Sequence, residues 1–257
     1  MGNDTERVNV LGVGVDALTV EGLHEEIRHF VRTEGHALVL NANVHCLNLA
    51  YKDRELQDLL NGAEIVFCDG SGVVLAARIL GHRIPERITY ADWMWQLTDF
   101  ASSEGFSLYF LGARPGVASA AAERLQRSYP ELTIAGVHHG YFDQSPGSHE
   151  SMAVIEKINA SSPDILVLGF GMPLQERWLM NNWANVEARV ALSGGAVFDY
   201  VSGELRRGPR ILTDHGFEWL ARLIVEPGRL WRRYIVGNPI FLLRVLRQRL
   251  QRRSEDT

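Results

Sequence analysis

Residues 63–80 read AEIVFCDGSGVVLAARIL. A short apolar run stops at Asp69 and Gly70, and a run rich in Ala and Leu follows from Gly72 to Leu80. A buried strand that turns through glycines directly into a helix is the repeating piece of a parallel sheet. The same order of strand, glycine turn and helix recurs at LYFLGARPGVA (108–118) and LGFGMPLQE (168–176), and LSGGAVFD (192–199) again ends a strand at glycines. Further strands are expected at Val8–Val15, Ala37–Leu40, Leu132–Val137 and Arg189–Ser193. Helices are expected at Thr19–Thr33, Cys46–Leu60, Asp92–Ser103, Val117–Tyr129, Met152–Ser161 and Gln175–Trp183. In the first of these, Val20, Leu23, Ile27 and Val31 share one face. The alternation predicts an α/β fold, a mostly parallel sheet with helices on both faces.

Composition narrows the class. The chain has 257 residues, 46 % of them hydrophobic, with a formal charge of −5, 24 Gly and 9 Pro. That is ample for a buried core and argues against disorder. Cys46 and Cys68 are the two cysteines and have no CxxC spacing, which argues against a disulfide scaffold or a structural zinc. The opening MGNDTERVNV lacks a basic region followed by an apolar one, and no run reaches the ~18 apolar residues of a membrane span. A cytoplasmic location is the expectation.

Charge divides the chain. Residues 1–221 hold 17 Lys and Arg against 28 Asp and Glu, whereas Arg222–Arg253 holds nine Arg against one acid, Glu226. A basic segment on an acidic body suggests an anionic partner. Trp231, Tyr234 and Phe241 interrupt the arginines. Asn238–Pro239 reads as a helix start, after which Leu242, Leu243, Leu246 and Leu250 fall on one side. Arg244 and Arg252 point away from that stripe, and Arg249 and Arg253 border it. Such a helix suits a membrane surface, with nucleic acid not favoured. The boundary is placed near Gly203–Pro209, giving a core of residues 1–203 and a basic appendage of residues 204–257.

In parallel sheets, ligands sit beyond the carboxyl ends of strands. Asn41 and Asn43 follow the second strand, and Asp69 stands between a strand and Gly70. Gly112 and Gly116, Gly171 with Gln175 and Glu176, and Gly194 with Gly195 mark three further strand ends. Glycine-lined turns offer backbone N–H groups to phosphates, so a nucleotide or nucleotide-sugar site is expected. Structural roles compete: Asp69 as a helix cap, Asn41 and Asn43 as loop-bonding residues. GVGVD is an incomplete dinucleotide fingerprint. No HExxH or apolar-flanked DxD is present, so no metal site is expected.

In chain order the blocks NANVH, CDGSGVV, PERIT..D, YFLGARPGVA, YPELTIAGVHHGYF, PDILVLGFGMPLQERW, GGAVFDYVSGELRRGP and FEWLARLIVEPGRLWRRY resemble the WecG/TagA/CpsF glycosyltransferases, from about Val8 to Phe241. The resemblance implies a Rossmann-like core plus an appendage that reaches the membrane and completes the site. It implies transfer of a sugar from a UDP-sugar to a polyprenyl-diphosphate-linked sugar in bacterial surface polysaccharide synthesis, inverting and without metal or cofactor. The enzyme would lie peripherally on the inner face of the plasma membrane, with a homo-oligomer possible. Asp69 matches the proposed general base, Asn43 and Arg87 accompany it as catalytic residues, and Gly70 belongs to the same motif. Asn41, Tyr90, Asp92, Gly112, Gly171, Gln175, Glu176 and Gly195 would bind substrate. Arg222, Arg229 and Arg232 match appendage arginines suited to the leaving diphosphate. Asp199 and Gly195 match GGaFD.

Departures from the family pattern are Asn41 for Thr, Ala42 for Pro, Tyr90 for Gly, Leu174 for Lys and Gly208 for Ala. They leave the donor open among N-acetylmannosamine, its uronic acid and glucose. An NAD(P)-dependent oxidoreductase and a non-enzymatic nucleotide-binding regulator are the alternative readings. The oxidoreductase would need a complete glycine fingerprint and an acid ending the second strand, where Asn41 stands.

Overall fold

The structure, a computed structural model, describes residues 6–205, 208–209 and 218–255. Eight strands form one sheet: β1 (Arg7–Val10), β2 (Val13–Asp16), β3 (Ala37–Ala42), β4 (Ile65–Cys68), β5 (Ser107–Gly112), β6 (Thr133–His138), β7 (Ile165–Gly169) and β8 (Val190–Ser193). Their order is β1-β2-β4-β3-β8-β7-β5-β6, and every pairing with a described register is parallel except β1 with β2. The α/β expectation holds. β3, β4 and β7 are buried along their whole length, which is why they read as continuous apolar runs rather than alternating ones.

The helices in chain order are α1 (Val20–Arg32), α2 (Val44–Ala50), α3 (Arg54–Gly62), α4 (Ser71–Leu80), α5 (Tyr90–Glu104), α6 (Val117–Ser128), α7 (His149–Ser161), α8 (Leu174–Asn182) and α9 (Val197–Ser202). The basic segment adds α10 (Glu218–Val225), α11 (Pro227–Trp231), a π-helical turn (Arg232–Val236) and α12 (Gly237–Glu255).

Three expectations need correction. Val8–Val15 is a hairpin rather than one strand, because Leu11 and Gly12 take positive φ of 56° and 89° and reverse the chain. The helix read over Cys46–Leu60 is two helices: the first ends at Ala50 with Tyr51 as its C-cap, and Asp53 caps the second, its side chain accepting from Leu56 N at 3.2 Å. The last helix does not start at Asn238–Pro239, where the chain is already helical. Pro239 brings no N–H, and the wider turn just before it, with Gly237 N bonding Arg232 O, accommodates the loss. Of the boundary region, residues 206–207 lie outside those described.

The described chain divides into two compact units. Unit 1 comprises Met1–Thr19, Asn41–Thr89 and Arg207–Thr257, and unit 2 comprises Val20–Leu40 and Tyr90–Arg206. In unit 1, α12 packs on α2 and α4. Phe241 and Val245 are its buried contacts, at 1 % and 0 % exposure. Each contributes about 1.5–3 kcal/mol by leaving water. Arg244 and Arg252 indeed point away from the Leu stripe, and they point at the body. Arg244 donates to Asn48 Oδ1 at 2.7 Å and Arg252 to Asn9 O at 3.4 Å, while Arg249 reaches Leu80 O at 3.2 Å. The side chain of Arg253 lies outside the described residues. Leu243, Leu246 and Leu250 are left exposed, Leu250 at 65 %. In unit 2, the core gathers around Trp93, Phe110, Trp178 and Phe198, all nearly inaccessible to water.

Candidate active site

In unit 1 the polar centre is Asp69. β4 delivers it, and its own N–H donates to Ala42 O at 2.9 Å, fixing it at the end of β3 as well. Gly70, at φ 104°, turns the chain into α4 and is itself the residue before the helix, so the Asp69 side chain does not cap α4. The carboxylate instead takes two amides: Asn41 Nδ2 donates to Oδ2 at 2.9 Å and Asn43 Nδ2 at 3.4 Å. Asn43 does double service, because its Oδ1 accepts from Cys46 N at 3.0 Å and caps α2. The helix cap and the bond to Asp69 thus come from one side chain.

Asp69 is half-buried. Burial raises its proton affinity above the ordinary carboxylate range; the bonds from Asn43 and Asn41 and the charges of Arg233 and Arg222 oppose the rise. The amides and the guanidinium charges favour the ionised form that burial opposes. Arg87 Nη1 donates to Ser71 Oγ at 3.2 Å, and its charge acts on the neighbouring Cys68 thiol.

The appendage arginines divide. Arg222, on α10, is close enough to act on Asp69. Arg229 makes a two-pronged pair with Glu226, at 3.0 and 2.6 Å. Arg232 is exposed and lies over its neighbour Trp231, 5.3 Å from the ring centre. Arg233, which the sequence reading passed over, is half-buried and acts on Asp69 with Arg222. His45 was also passed over. It sits in the first turn of α2, where burial and then Arg233 lower its pKa to about 4, so it is neutral at pH 7. Both lie inside quoted blocks, His45 ending NANVH and Arg233 within GRLWRRY, but nothing in the spacing singled them out there.

Unit 2 carries the other candidates. Gln175 ties two strand-end turns together: its Oε1 accepts from Gly171 N at 3.2 Å and Gly195 N at 3.0 Å. Its amide donates to Glu176 Oε1 at 2.8 Å. Glu176 is wholly buried, and burial raises its pKa to about 7. Gly112 is required by packing, since a Cβ there would meet the backbone of Gly169 at 2.5 Å. Tyr90 is only 5 % exposed and packs edge-on against Trp93, while Asp92 faces solvent. Among the described residues, no group of three or more His, Cys, Asp or Glu has an arrangement able to hold a metal ion.

Unit 1 thus assembles Asn41, Asn43, Asp69 and Arg222, with Arg233 added, around one carboxylate. Comparison with known proteins gives the setting. The pattern of the glycosyl transferase WecG/TagA/CpsF family matches residues 8–255. The chain is 29 % identical over 245 residues to the N-acetylglucosaminyldiphosphoundecaprenol N-acetyl-beta-D-mannosaminyltransferases of Staphylococcus aureus strains MRSA252 and NCTC 8325 / PS 47. The match covers 95 % of this chain and 93 % of each relative. A match from the first strand to the last helix establishes the chain as a member of the WecG/TagA/CpsF family and a glycosyltransferase.

Proposed function

We propose that the enzyme moves N-acetylmannosamine from its UDP conjugate to N-acetylglucosaminyl-diphosphoundecaprenol, with inversion at the anomeric carbon. The names of the relatives support the sugar and the acceptor. The observation that carries the chemistry is Asp69, half-buried, bonded by Asn41 and Asn43 and faced by Arg222 and Arg233. In a single displacement the acceptor hydroxyl gives its proton to Asp69 as its oxygen bonds to the anomeric carbon. The bond to the UDP oxygen breaks on the opposite face, and guanidiniums stabilise the charge that develops on the diphosphate. On this reading the arginines supply the positive field that a metal or cofactor would otherwise provide. Transfer of radiolabelled sugar from a panel of UDP conjugates to the lipid-linked acceptor tests it; N-acetylmannosamine is expected to be the productive donor. Transfer of glucose or of the uronic acid instead would reassign the donor.

We also propose that the basic segment rests on an anionic bilayer at the cytoplasmic face. Exposed Ile224, Trp231, Ile235, Leu243, Leu246 and Leu250 accompany exposed Arg229, Arg232 and Arg247, apolar area and cations being the two ingredients of interfacial binding. No helix among the described residues is long and apolar enough to cross a membrane. Sedimentation with phosphatidylglycerol vesicles, weakened by salt and weaker still with phosphatidylcholine, is the expected result. Equal binding to both would remove the electrostatic part.

A further inference from the structure

The stretch Arg87–Thr89 lies against the turn that carries Asp69 and is fastened on both sides of it. Ile88 N donates to Cys68 O at 2.9 Å, one residue before Asp69. Arg87 Nη1 donates to Ser71 Oγ at 3.2 Å, one residue beyond Gly70. Asp69 and Gly70 therefore sit between the two attachments, and Ile88, 1 % exposed, anchors the stretch in the core. Thr89 follows directly, so it is carried to the same strand end as the carboxylate.

That strand end is open on one side. A side chain built on Gly70 would meet nothing within 4 Å, whereas one on Gly72 would collide with Val44. The open side adjoins Asp69, whose carboxylate accepts from Asn41 and Asn43.

Thr89 is out of balance with these surroundings. The residue is half-buried, but its hydroxyl oxygen is shielded from water and has no hydrogen-bond partner among the described residues. A hydroxyl so placed costs free energy, because it has given up water and gained nothing in return. Valine has the same shape and would avoid that cost. The part of Thr89 that water reaches is its other atoms, and turning χ1 to another staggered position moves the hydroxyl without breaking a hydrogen bond. A hydroxyl donates one bond and accepts others, which suits a sugar hydroxyl or an acetamido group.

We propose that Thr89 is a substrate-binding residue: its hydroxyl turns toward the open side at Gly70 and hydrogen-bonds a sugar held at Asp69. The inward orientation is the resting one, and the sugar supplies the partner that the fold does not. The proposal rests on the reading of Asp69 as the reacting centre, and it adds a contact to the carbohydrate rather than to the diphosphate. That carbohydrate is either the transferred sugar or the one that receives it.

Steady-state transfer by Thr89→Val and Thr89→Ser, with the heat-unfolding midpoint of each, tests the assignment. Thr89→Val is expected to lower kcat/KM roughly 3–10-fold, the contribution of one uncharged hydrogen bond, while its midpoint equals or exceeds that of the wild type. Thr89→Ser keeps the hydroxyl and is expected to recover most of the lost rate. A hydroxyl with a purely structural role would behave the other way, Thr89→Val losing stability. A rise in KM confined to the UDP-sugar assigns the contact to the transferred sugar, and one confined to the lipid-linked substrate assigns it to the acceptor. A fall in kcat alone assigns it to the transition state. Wild-type kcat/KM in Thr89→Val overturns the proposal, as does a lowered midpoint in that variant or an equal loss of rate in Thr89→Ser. Asp69→Asn, assayed alongside, keeps the two readings apart. Wild-type transfer there overturns Asp69 as the reacting centre, whereas an unimpaired Thr89→Val beside a slow Asp69→Asn overturns the Thr89 contact alone.

Discussion

Asp69 in unit 1 and Glu176 in unit 2 are both acids at strand-to-helix turns beside glycines, and the fold treats them oppositely. Asp69 is half-buried, accepts from two amides and has the charges of Arg222 and Arg233 acting on it. Glu176 is wholly buried, accepts from one side-chain amide, and its Oε2 has no partner. Burial raises the proton affinity of both, but only Asp69 has cations to oppose it. One acid stays within reach of solvent and of opposing cations. The other has become part of the wall, holding the Gln175 amide that ties the turns at Gly171 and Gly195.

The sharpest way to break the contrast is to neutralise each acid. Asp69→Asn should cut transfer by roughly 10²–10⁴-fold, the usual contribution of a general base, in a radiolabel assay. Glu176→Gln should change stability instead. Because the folded pKa, about 7, lies above the ordinary 4.5, the wild-type chain is most stable below pH 4.5 in this respect. That stability is lost as pH rises through 7. By linkage the deficit reaches about 3 kcal/mol, so urea denaturation should show Glu176→Gln gaining up to about that much at pH 8 and little at pH 4.5. A flat difference across pH would mean the carboxyl is not neutralised by burial.

His24 gives the mirror image in unit 2. Its Nε2 accepts from Trp93 Nε1 at 3.0 Å and its ring stacks on Phe100, so the neutral form is required. Burial lowers its pKa to about 4, below the ordinary 6.5. The stability it contributes is complete above pH 6.5 and is lost as pH falls toward 4. Replacing His24 with Gln, which still offers an acceptor, should shrink the fall in urea midpoint over that window.

Smaller effects sharpen the account of unit 1. Asn43→Ala should cost about 1 kcal/mol for the lost cap of α2 and also slow transfer. Asn43→Asp should keep the cap but set a second acid beside Asp69, so that transfer falls while thermal stability is largely retained. Arg229→Gln should shift stability by no more than about 1 kcal/mol, because its partner Glu226 is reached at the surface. A large loss there would show that Arg229 does more than pair with Glu226.

Sequence carried the sheet well, since the apolar runs of β3, β4, β5 and β7 end at glycines or asparagines that stay at strand ends after folding. It also brought out Asp69 and both asparagines. What it could not convey was burial: Glu176 and Tyr90 look like accessible polar groups until packing encloses them. Nor could it select Arg233. The π-turn inserts an additional residue into the helical path, so arginines before and after it lose the 3.6-residue phase from which a face is read. The hairpin at Leu11–Gly12 was hidden for a related reason: Val8, Val10, Val13 and Val15 are all buried, and the apolar pattern runs through the reversal.

Unit 1 is assembled from the first, middle and last parts of the chain. A ribosome makes Asp69 early and Arg233 more than 150 residues later. The charge balance around the carboxylate is therefore reached only once the π-turn has been made, and a chain terminated before it carries the acid without its guanidinium. On the proposed mechanism, transfer is thereby confined to chains translated through the π-turn.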